Sequence, residues 1–382
     1  MSAPVITRPL PQPLALPALV DALSVRDLTD PAQGRHALQL IVDAAAAALA
    51  RLWSIPACVE RSRPVVTVED NYDRLGYPVD AVSRDVLYTR YVGETTMLRS
   101  HTSAGIPPAL RRLAQQPQPP AQTLLVLPGG CHRRDAIDRW HTGTPHQLDL
   151  WLVRPGHPRP DHDDLHNMVT TLVEAVLPGR HWRWTATEHP YTSGGREVEA
   201  IQSGRPVEIA ECGLIAPQVL AGAGLDPATW AGLALGMGLD RVLMLRKGVA
   251  DIRLLRSADP RIADQMLDLQ PYRPVSDLPA ARRDLSVAVE PEADAETLGD
   301  RVREVLGPRS ELVEEVSVRS RTDADQLPDA ARERLGIRPG QVNVLLRVVL
   351  RPVDRTLTSA EVNDIRDQIY AGLHRGRPPG LR

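Results

Sequence analysis

The chain has 382 residues, 42% hydrophobic and 24% charged, values ordinary for a soluble globular protein of two or possibly three domains. Its formal net charge of -3 gives no nucleic-acid signature for the whole chain, and no apolar run reaches the roughly 20 residues a membrane span needs. Cys58, Cys131 and Cys212 lie far apart without metal-ligand spacing, and read as free thiols of a reducing compartment.

Residues 1–25 are rich in proline and hold one basic residue, Arg8. They read as a poorly ordered arm, neither a signal nor a transit peptide, and a cytoplasmic location is expected. Thr29, Asp30 and Pro31 then give a helix-start signal, followed by Leu38, Ile41, Ala45, Ala48 and Leu49 at helical spacing. Strands are expected at Pro64–Thr67, Thr123–Leu127, Leu148–Val153 and Val207–Ile209, and helices at His166–Leu177 and Leu239–Arg246. The stretch 107–122, rich in Pro and Gln, reads as a loop with at best a short Leu110–Leu113 helix. Strand runs mixed with separate helices predict an α+β domain around an antiparallel sheet over 26–256.

A break follows, with a linker over 257–271. Beyond it, Asp284–Val289 and Val342–Val349 alternate as strands, and Ala295–Leu306 reads as a helix. Thr358 and Glu361 form a capping box for a helix carrying Val362, Ile365, Ile369 and Leu373, which stops near Gly376. These elements predict a small α/β sandwich over 272–382. Arginines and acids nearly balance in it, so it lacks the basic excess of many RNA-binding modules, although Arg375, Arg377 and Arg382 form a basic tail beside His374. Two features of composition stand out: Lys247 is the only lysine, and phenylalanine is absent.

Some residue patterns are compatible with a binding site. Gln147 and Asp149 are two apart on one strand and face the same side. Gly232, Gly236 and Gly238 allow a ligand close to the backbone, without the lysine and Ser/Thr of a Walker loop. Arginine presents a planar fork suited to phosphate, but Arg133 and Arg241 taken alone read as surface ion-pairing arginines.

Four segments in order resemble the catalytic core of class II phenylalanyl-tRNA synthetases. They are Asn71-Tyr72-Asp73-Arg74-Leu75; Met97-Leu98-Arg99-Ser100-His101-Thr102-Ser103; the motif 2 stretch from His132-Arg133-Arg134-Asp135 to His146-Gln147-Leu148-Asp149; and the motif 3 stretch Gly232-Leu233-Ala234-Leu235-Gly236-Met237-Gly238-Leu239-Asp240-Arg241. Gly248 to Arg253 also fits. From Tyr272, Arg283-Asp284-Leu285 and Arg355-Thr356-Leu357-Thr358 with Glu361-Val362-Asn363 resemble the ferredoxin-fold anticodon-binding domain. Core and domain on one chain are the mitochondrial arrangement.

The resemblance implies a class II catalytic domain plus a ferredoxin-like sandwich, working as a monomer. It implies an ATP-dependent ligase that adenylates phenylalanine or a related amino acid and passes it to tRNA, with Mg2+ screening the phosphates. Arg133 would hold the α-phosphate and Arg241 the terminal phosphate. Asp135, Gly236 and Gly238 would lie along the nucleotide, with Glu208 as ATP or magnesium partner. Gln147 and Asp149 would meet the substrate's ammonium beside His101 and Ser103. His189, Tyr191 and Ala234 would line the side-chain pocket.

Departures leave two explanations open. His189-Pro190-Tyr191-Thr192 stands where the family has Phe-Pro-Phe-Thr, Ser193-Gly194-Gly195 follows it, Asp149 is shorter than the usual glutamate, and Glu211 replaces a glycine before Cys212-Gly213. Either the pocket is remodelled for a more polar amino acid, or the whole chain avoids phenylalanine. Alternatives to tRNA ligation are transfer to a non-tRNA acceptor in small-molecule biosynthesis, or a non-catalytic tRNA-binding regulator.

Overall fold

The computed structural model describes residues 13–377 except 85–87, 157, 276–277 and 354. Residues 1–12 of the expected arm, and Arg382 of the basic tail, lie outside the described residues. The chain divides into two compact units. One comprises Met1–Arg133 with Thr144–Arg246, the other Arg134–Gly143 with Lys247–Arg382. A single boundary near 256–271 had been expected; the observed division is discontinuous.

The first unit is built on strands β1 (Ala57–Val59), β4 (Thr123–Gly130), β5 (His146–Pro155), β6 (Trp182–Ala186), β7 (Thr192–Gln202), β8 (Arg205–Ile215) and β9 (Trp230–Gly238). Their order is β1-β4-β5-β9-β8-β7-β6. Only β1 and β4 run parallel; every other pair is antiparallel. Strands β2 (Val65–Thr67) and β3 (Thr96–Leu98) form a separate antiparallel pair. Strand β5 is buried along most of its length, as a central strand covered on both faces must be. Trp151 and Val153 face a cluster with Leu75, Ile106, Leu110, Tyr191 and Ala234. By alternation, Gln147 and Asp149 share that face. Helices Ala37–Trp53 and His162–Val176 pack on each other and against the sheet.

Local signals were sometimes displaced. The long helix begins at Ala37, where the His36 Nδ1 accepts from the Leu38 N–H at 3.2 Å. Asp30 caps only a 3-10 turn, Pro31–Gln33, which ends at Gly34 with φ 107°, a conformation that a helix cannot continue. The expected arm contains a helix, Leu16–Ser24, with Pro17 in its first turn. The loop expected at 107–122 opens with a helix, Ile106–Ala114, because Pro107 and Pro108 occupy its tolerant first turn. The helix expected from His166 starts at His162, on a capping box between Asp161 and Asp164. Cys58 is exposed, Cys131 and Cys212 are buried, and all three are free thiols.

The second unit carries β10 (Ala281–Val289), β11 (Val313–Asp323) and β12 (Val342–Leu350) in an antiparallel sheet ordered β10-β12-β11. Helices Ala295–Leu306 and Ser359–Leu373 close its core with Val302, Leu298, Ile365 and Ile369. The Thr358–Glu361 capping box forms as expected. Strand β11 was not expected, because its second half, Arg319 to Asp323, is polar and lacks apolar alternation. Residues 257–271 include short helical turns, Pro260–Ala263 and Asp264–Leu267. The buried Lys247 ammonium donates to the Asp268 carbonyl (2.8 Å), the Asp268 carboxylate (3.0 Å) and the Gln270 carbonyl (2.6 Å). These contacts satisfy all three of its donors.

Segment 134–143 is part of this unit. Ile137 belongs to its apolar core, and the Ile137 carbonyl accepts from the Val316 N–H at 2.8 Å. Arg303 donates to the carbonyls of Asp135 and Ala136. Arg134 pairs with the fully buried Asp300 at 3.3 Å. Gly299 is required here, since a Cβ would stand 2.9 Å from the Asp135 carbonyl oxygen.

Candidate active site

Strand register arranges the first unit's open face in rows. Asp149 on β5 is level with Gly236 on β9, which is level with Glu211 on β8 and then Glu197 on β7. Toward one end, Gln147 is level with Gly238; toward the other, Trp151 is level with Ala234 and Gly213. Residues in one row share a face and stand about 4.8 Å apart from strand to strand.

Asp149 is enclosed. Its carboxylate accepts from the Thr102 hydroxyl (2.6 Å) and the Trp151 indole N–H (3.0 Å), and Ser103 adds a further bond. Burial raises its pKa from 3.8 to about 6 despite those bonds, and the Glu211 charge adds to the rise. Gln147 is similarly engaged, its side-chain oxygen accepting from the Thr102 N–H at 3.3 Å and the Cys131 thiol at 3.5 Å.

His101 opens the 3-10 turn Thr102–Gly105 that supplies these donors. Its ring stacks on Tyr77 (centroids 5.6 Å apart, 18°) and meets Tyr72 edge-on. Burial, helped by the Arg133 charge, lowers its pKa to about 3, so the ring is neutral, and its Nδ1 is buried without a partner among the described residues.

Tyr191 lies between Trp151 (5.9 Å) and His189 (5.8 Å), both stacked on it, with Tyr77 tilted at 6.5 Å. The His189 Nε2 pairs with a Glu211 oxygen at 2.9 Å, and the Tyr191 hydroxyl reaches the same oxygen at 3.5 Å. Burial alone would raise the Glu211 pKa. The His189 bond and charge, the Arg133 charge and the Tyr191 bond together lower it. Burial likewise opposes protonation of His189, but Glu211 outweighs it and raises the imidazole pKa. Ala234 is fully buried in the cluster holding Trp151 and Tyr191, so its methyl group backs those rings.

At the other end, the Arg133 Nε donates to the Ser100 carbonyl at 2.6 Å, and its terminal nitrogens make no hydrogen bond among the described residues. Arg241, on the helix Leu239–Lys247, pairs with Glu208 at 3.0 Å. The preceding residue, Asp240, bonds the His146 Nδ1 at 2.9 Å, while the His146 Nε2 accepts from the Leu28 N–H. The imidazole is thereby fixed as the Nδ1–H tautomer, and the start of β5 is joined to that helix. Gly236 and Gly238 keep β9 bare: the nearest atom to a Cβ at Gly236 would be the Tyr191 hydroxyl at 4.0 Å, and at Gly238 the Ile209 carbonyl at 3.9 Å.

Asp135 belongs to the second unit, where its carboxylate accepts from the Ala136 N–H at 2.9 Å. Among the described residues no group of three or more His, Cys, Asp or Glu is placed to hold a metal. Glu208 on β8 is level with Glu199 on β7, and nearby Glu197 has a raised pKa, from burial first and then the charges of Glu208, Glu199 and Glu211. An acidic edge without a closed cage suits a Mg2+ that keeps its waters and is carried by phosphates.

Thr102, Trp151 and Tyr77 were not among the expected site residues. Trp151 could have been found by carrying the strand alternation of Gln147 and Asp149 one step further. Thr102 lies between His101 and Ser103 in a segment already singled out, whereas Tyr77 joins the site by tertiary proximity, for which the chain offers no spacing signal.

Residues 33–266 match the family described as tRNA synthetases class II core domain (F). The chain is 36% identical over 201 residues to the phenylalanine–tRNA ligase alpha subunit of Prochlorococcus marinus (strain MIT 9313), covering 53% of this chain and 57% of that protein. It is 28% identical over 320 residues to the chloroplastic/mitochondrial phenylalanine–tRNA ligase of Arabidopsis thaliana, covering 80% and 68%. The chain thus spans little more than half the length of the cyanobacterial relative. The solved pyrrolysyl-tRNA synthetase of Desulfitobacterium hafniense aligns over 63% of this chain and 78% of its own, with TM-score 0.46 and 18% identity.

Proposed function

The chain belongs to the family of class II tRNA synthetase core domains, and from that premise we propose that it activates phenylalanine or a related amino acid with ATP and transfers it to tRNA. The carrying observation is the juxtaposition on one sheet face of an arginine with uncommitted terminal nitrogens, a bare glycine strand and an enclosed polar pocket. The amino acid's carboxylate attacks the α-phosphorus of ATP and pyrophosphate leaves. The terminal ribose hydroxyl of tRNA then attacks the adenylate's carbonyl, releasing AMP.

Two anions must meet in the first step, so fixed positive charge is the main requirement. Arg133 meets the α-phosphate, pre-aimed by its bond to Ser100. Arg241 meets the terminal phosphates, with Glu208 holding its fork until ATP arrives. Mg2+ bound with ATP would screen the phosphates, with Glu208 as its protein ligand. Gly236 and Gly238 let the nucleotide and amino acid lie close to β9. His101, neutral and with one bare ring nitrogen, and Ser103 border the amino acid, with His189 and Tyr191 on its side-chain flank.

The names of the relatives favour tRNA as acceptor over a small-molecule acceptor or a non-catalytic regulator. The sandwich of the second unit, following on the same chain, is assigned to the anticodon side of tRNA, and a monomer is the proposed working form. No helix among the described residues is long and apolar enough to cross a membrane, and the three free thiols suit the proposed cytoplasmic setting. The test is amino-acid-dependent ATP–pyrophosphate exchange across phenylalanine, tyrosine and non-protein aromatic amino acids, followed by tRNA charging with the best of them. Exchange with phenylalanine and charging of its tRNA are expected. Exchange without any tRNA charging would overturn the ligase reading, and absence of exchange would overturn activation itself.

A further inference from the structure

The side chains expected to receive the substrate's ammonium are already engaged with the protein. Asp149 already accepts three protein donors, from Thr102, Trp151 and Ser103, out of about four acceptor sites, and the residue is 1% exposed. The Gln147 oxygen accepts from Thr102 and Cys131, which leaves that amide its N–H donors to offer. An ammonium has three donors and no acceptor, so it needs a carboxylate with a lone pair to spare.

Glu211 provides one. It stands in the same row as Asp149, across Gly236, roughly 10 Å away between Cα atoms at two strand spacings. One of its oxygens takes His189 and Tyr191. Among the described residues the other oxygen accepts no hydrogen bond, and the side chain is 38% exposed. Directly over Gly236 there is room for an atom at the Cβ position, whose nearest neighbour would be the Tyr191 hydroxyl at 4.0 Å. The His189 and Tyr191 bonds fix the rotamer, so little further ordering is needed when a cation arrives.

We propose that Glu211 is the principal carboxylate holding the substrate's ammonium, which sits over Gly236 between Glu211 and Asp149. The acceptor has thereby moved from β5 to β8, and the shortening of the expected glutamate to Asp149 is compensated across the sheet. Asp149 becomes a positioning residue that holds Thr102 and Trp151. Glu211 acts by binding and orienting, not by proton transfer.

This inference rests on the reading of the face as an amino-acid-activating site, so exchange by the unaltered protein comes first. If no amino acid supports exchange, that reading falls and this one with it. Otherwise the best amino acid and its deaminated analogue, for phenylalanine 3-phenylpropionate, form the test pair. Glu211→Gln keeps the shape of the side chain. It is expected to raise KM for the amino acid tenfold or more while the KM for ATP and the ranking among amino acids stay unchanged. Inhibition by the deaminated analogue is expected to be unaffected, so the wild-type preference for the amine-bearing ligand shrinks by the same factor. A merely structural Glu211 would weaken both ligands alike, and that result overturns the proposal. An unchanged KM overturns it too, as does a changed ranking among side chains, which would place Glu211 on the side-chain flank.

Discussion

On β12 of the second unit, Val342, Val344, Leu346 and Val348 alternate into an apolar core while Asn343 and Arg347 lie between them on the other face. On β5 of the first unit, the same alternation turns Gln147 and Asp149 inward beside Trp151 and Val153. One strand follows the apolar-in pattern and the other breaks it at two positions. A buried carboxylate that must recruit Thr102, Ser103 and Trp151 to be tolerated costs stability. Such a cost marks a surface shaped for something other than stability. The second unit is held together by packing; the first carries a face whose polar groups are arranged for a ligand.

The sharpest way to test that contrast is to remove one apolar residue from the pattern-following strand. Leu346→Ala should destabilise the second unit by about 2–5 kcal/mol, read from denaturant unfolding; a loss under 1 kcal/mol would mean that the core is not close-packed. Next comes the opposite behaviour on the first unit. Arg133→Ala should lower exchange about 10²–10³-fold while the unfolding midpoint stays nearly unchanged. A large fall in stability with little loss of rate would reverse the assignment.

Asp149 offers a pH test. Its native pKa of about 6 lies above the ordinary 3.8, so the native state binds the proton more tightly than the unfolded chain. Its favourable contribution is complete below about pH 3.8 and is lost as pH rises through about 6. Asp149→Asn should therefore be more stable than wild type above pH 6, by about 1–3 kcal/mol, and the gain should vanish near pH 4. Urea melts at both pH values check the sign; an equal effect at both would mean that charge burial is not the cause. The smallest effect is expected where the units behave alike. Asp161→Ala and Thr358→Ala each remove a capping box, and each should cost about 1 kcal/mol. Unequal losses would show that one helix depends on its cap more than the other.

Much of the site was legible because it consists of residue types in a fixed order along the chain. Gln147, Asp149 and the β9 glycines could be put on one face by strand alternation, and Arg133 was singled out by resemblance alone. The pocket was less legible. Glu211 was visible as an unexpected carboxylate, but its bonds to His189 and Tyr191 depend on how β7 and β8 pair across a register shift. Tyr77 reaches His101 by packing alone. The fold was missed where local chemistry and tertiary context disagreed. Asp30-Pro31 is a sound start signal that Gly34 cuts short, and β11 forms because β12 offers it an edge rather than because its polar half favours extension.

Segment 134–143 bears on how the chain is made. It is synthesised well before β10, β11 and β12, yet Ile137 belongs to the core those strands build. At ordinary translation rates that leaves an apolar side chain uncovered for roughly 10–50 seconds. A nascent chain released near Arg246 would keep the seven-stranded sheet and a loop with nowhere to dock, a form prone to capture by chaperones or proteases. Completion of the helix Ser359–Leu373, and not of the seven-stranded sheet, would then be the event that covers Ile137.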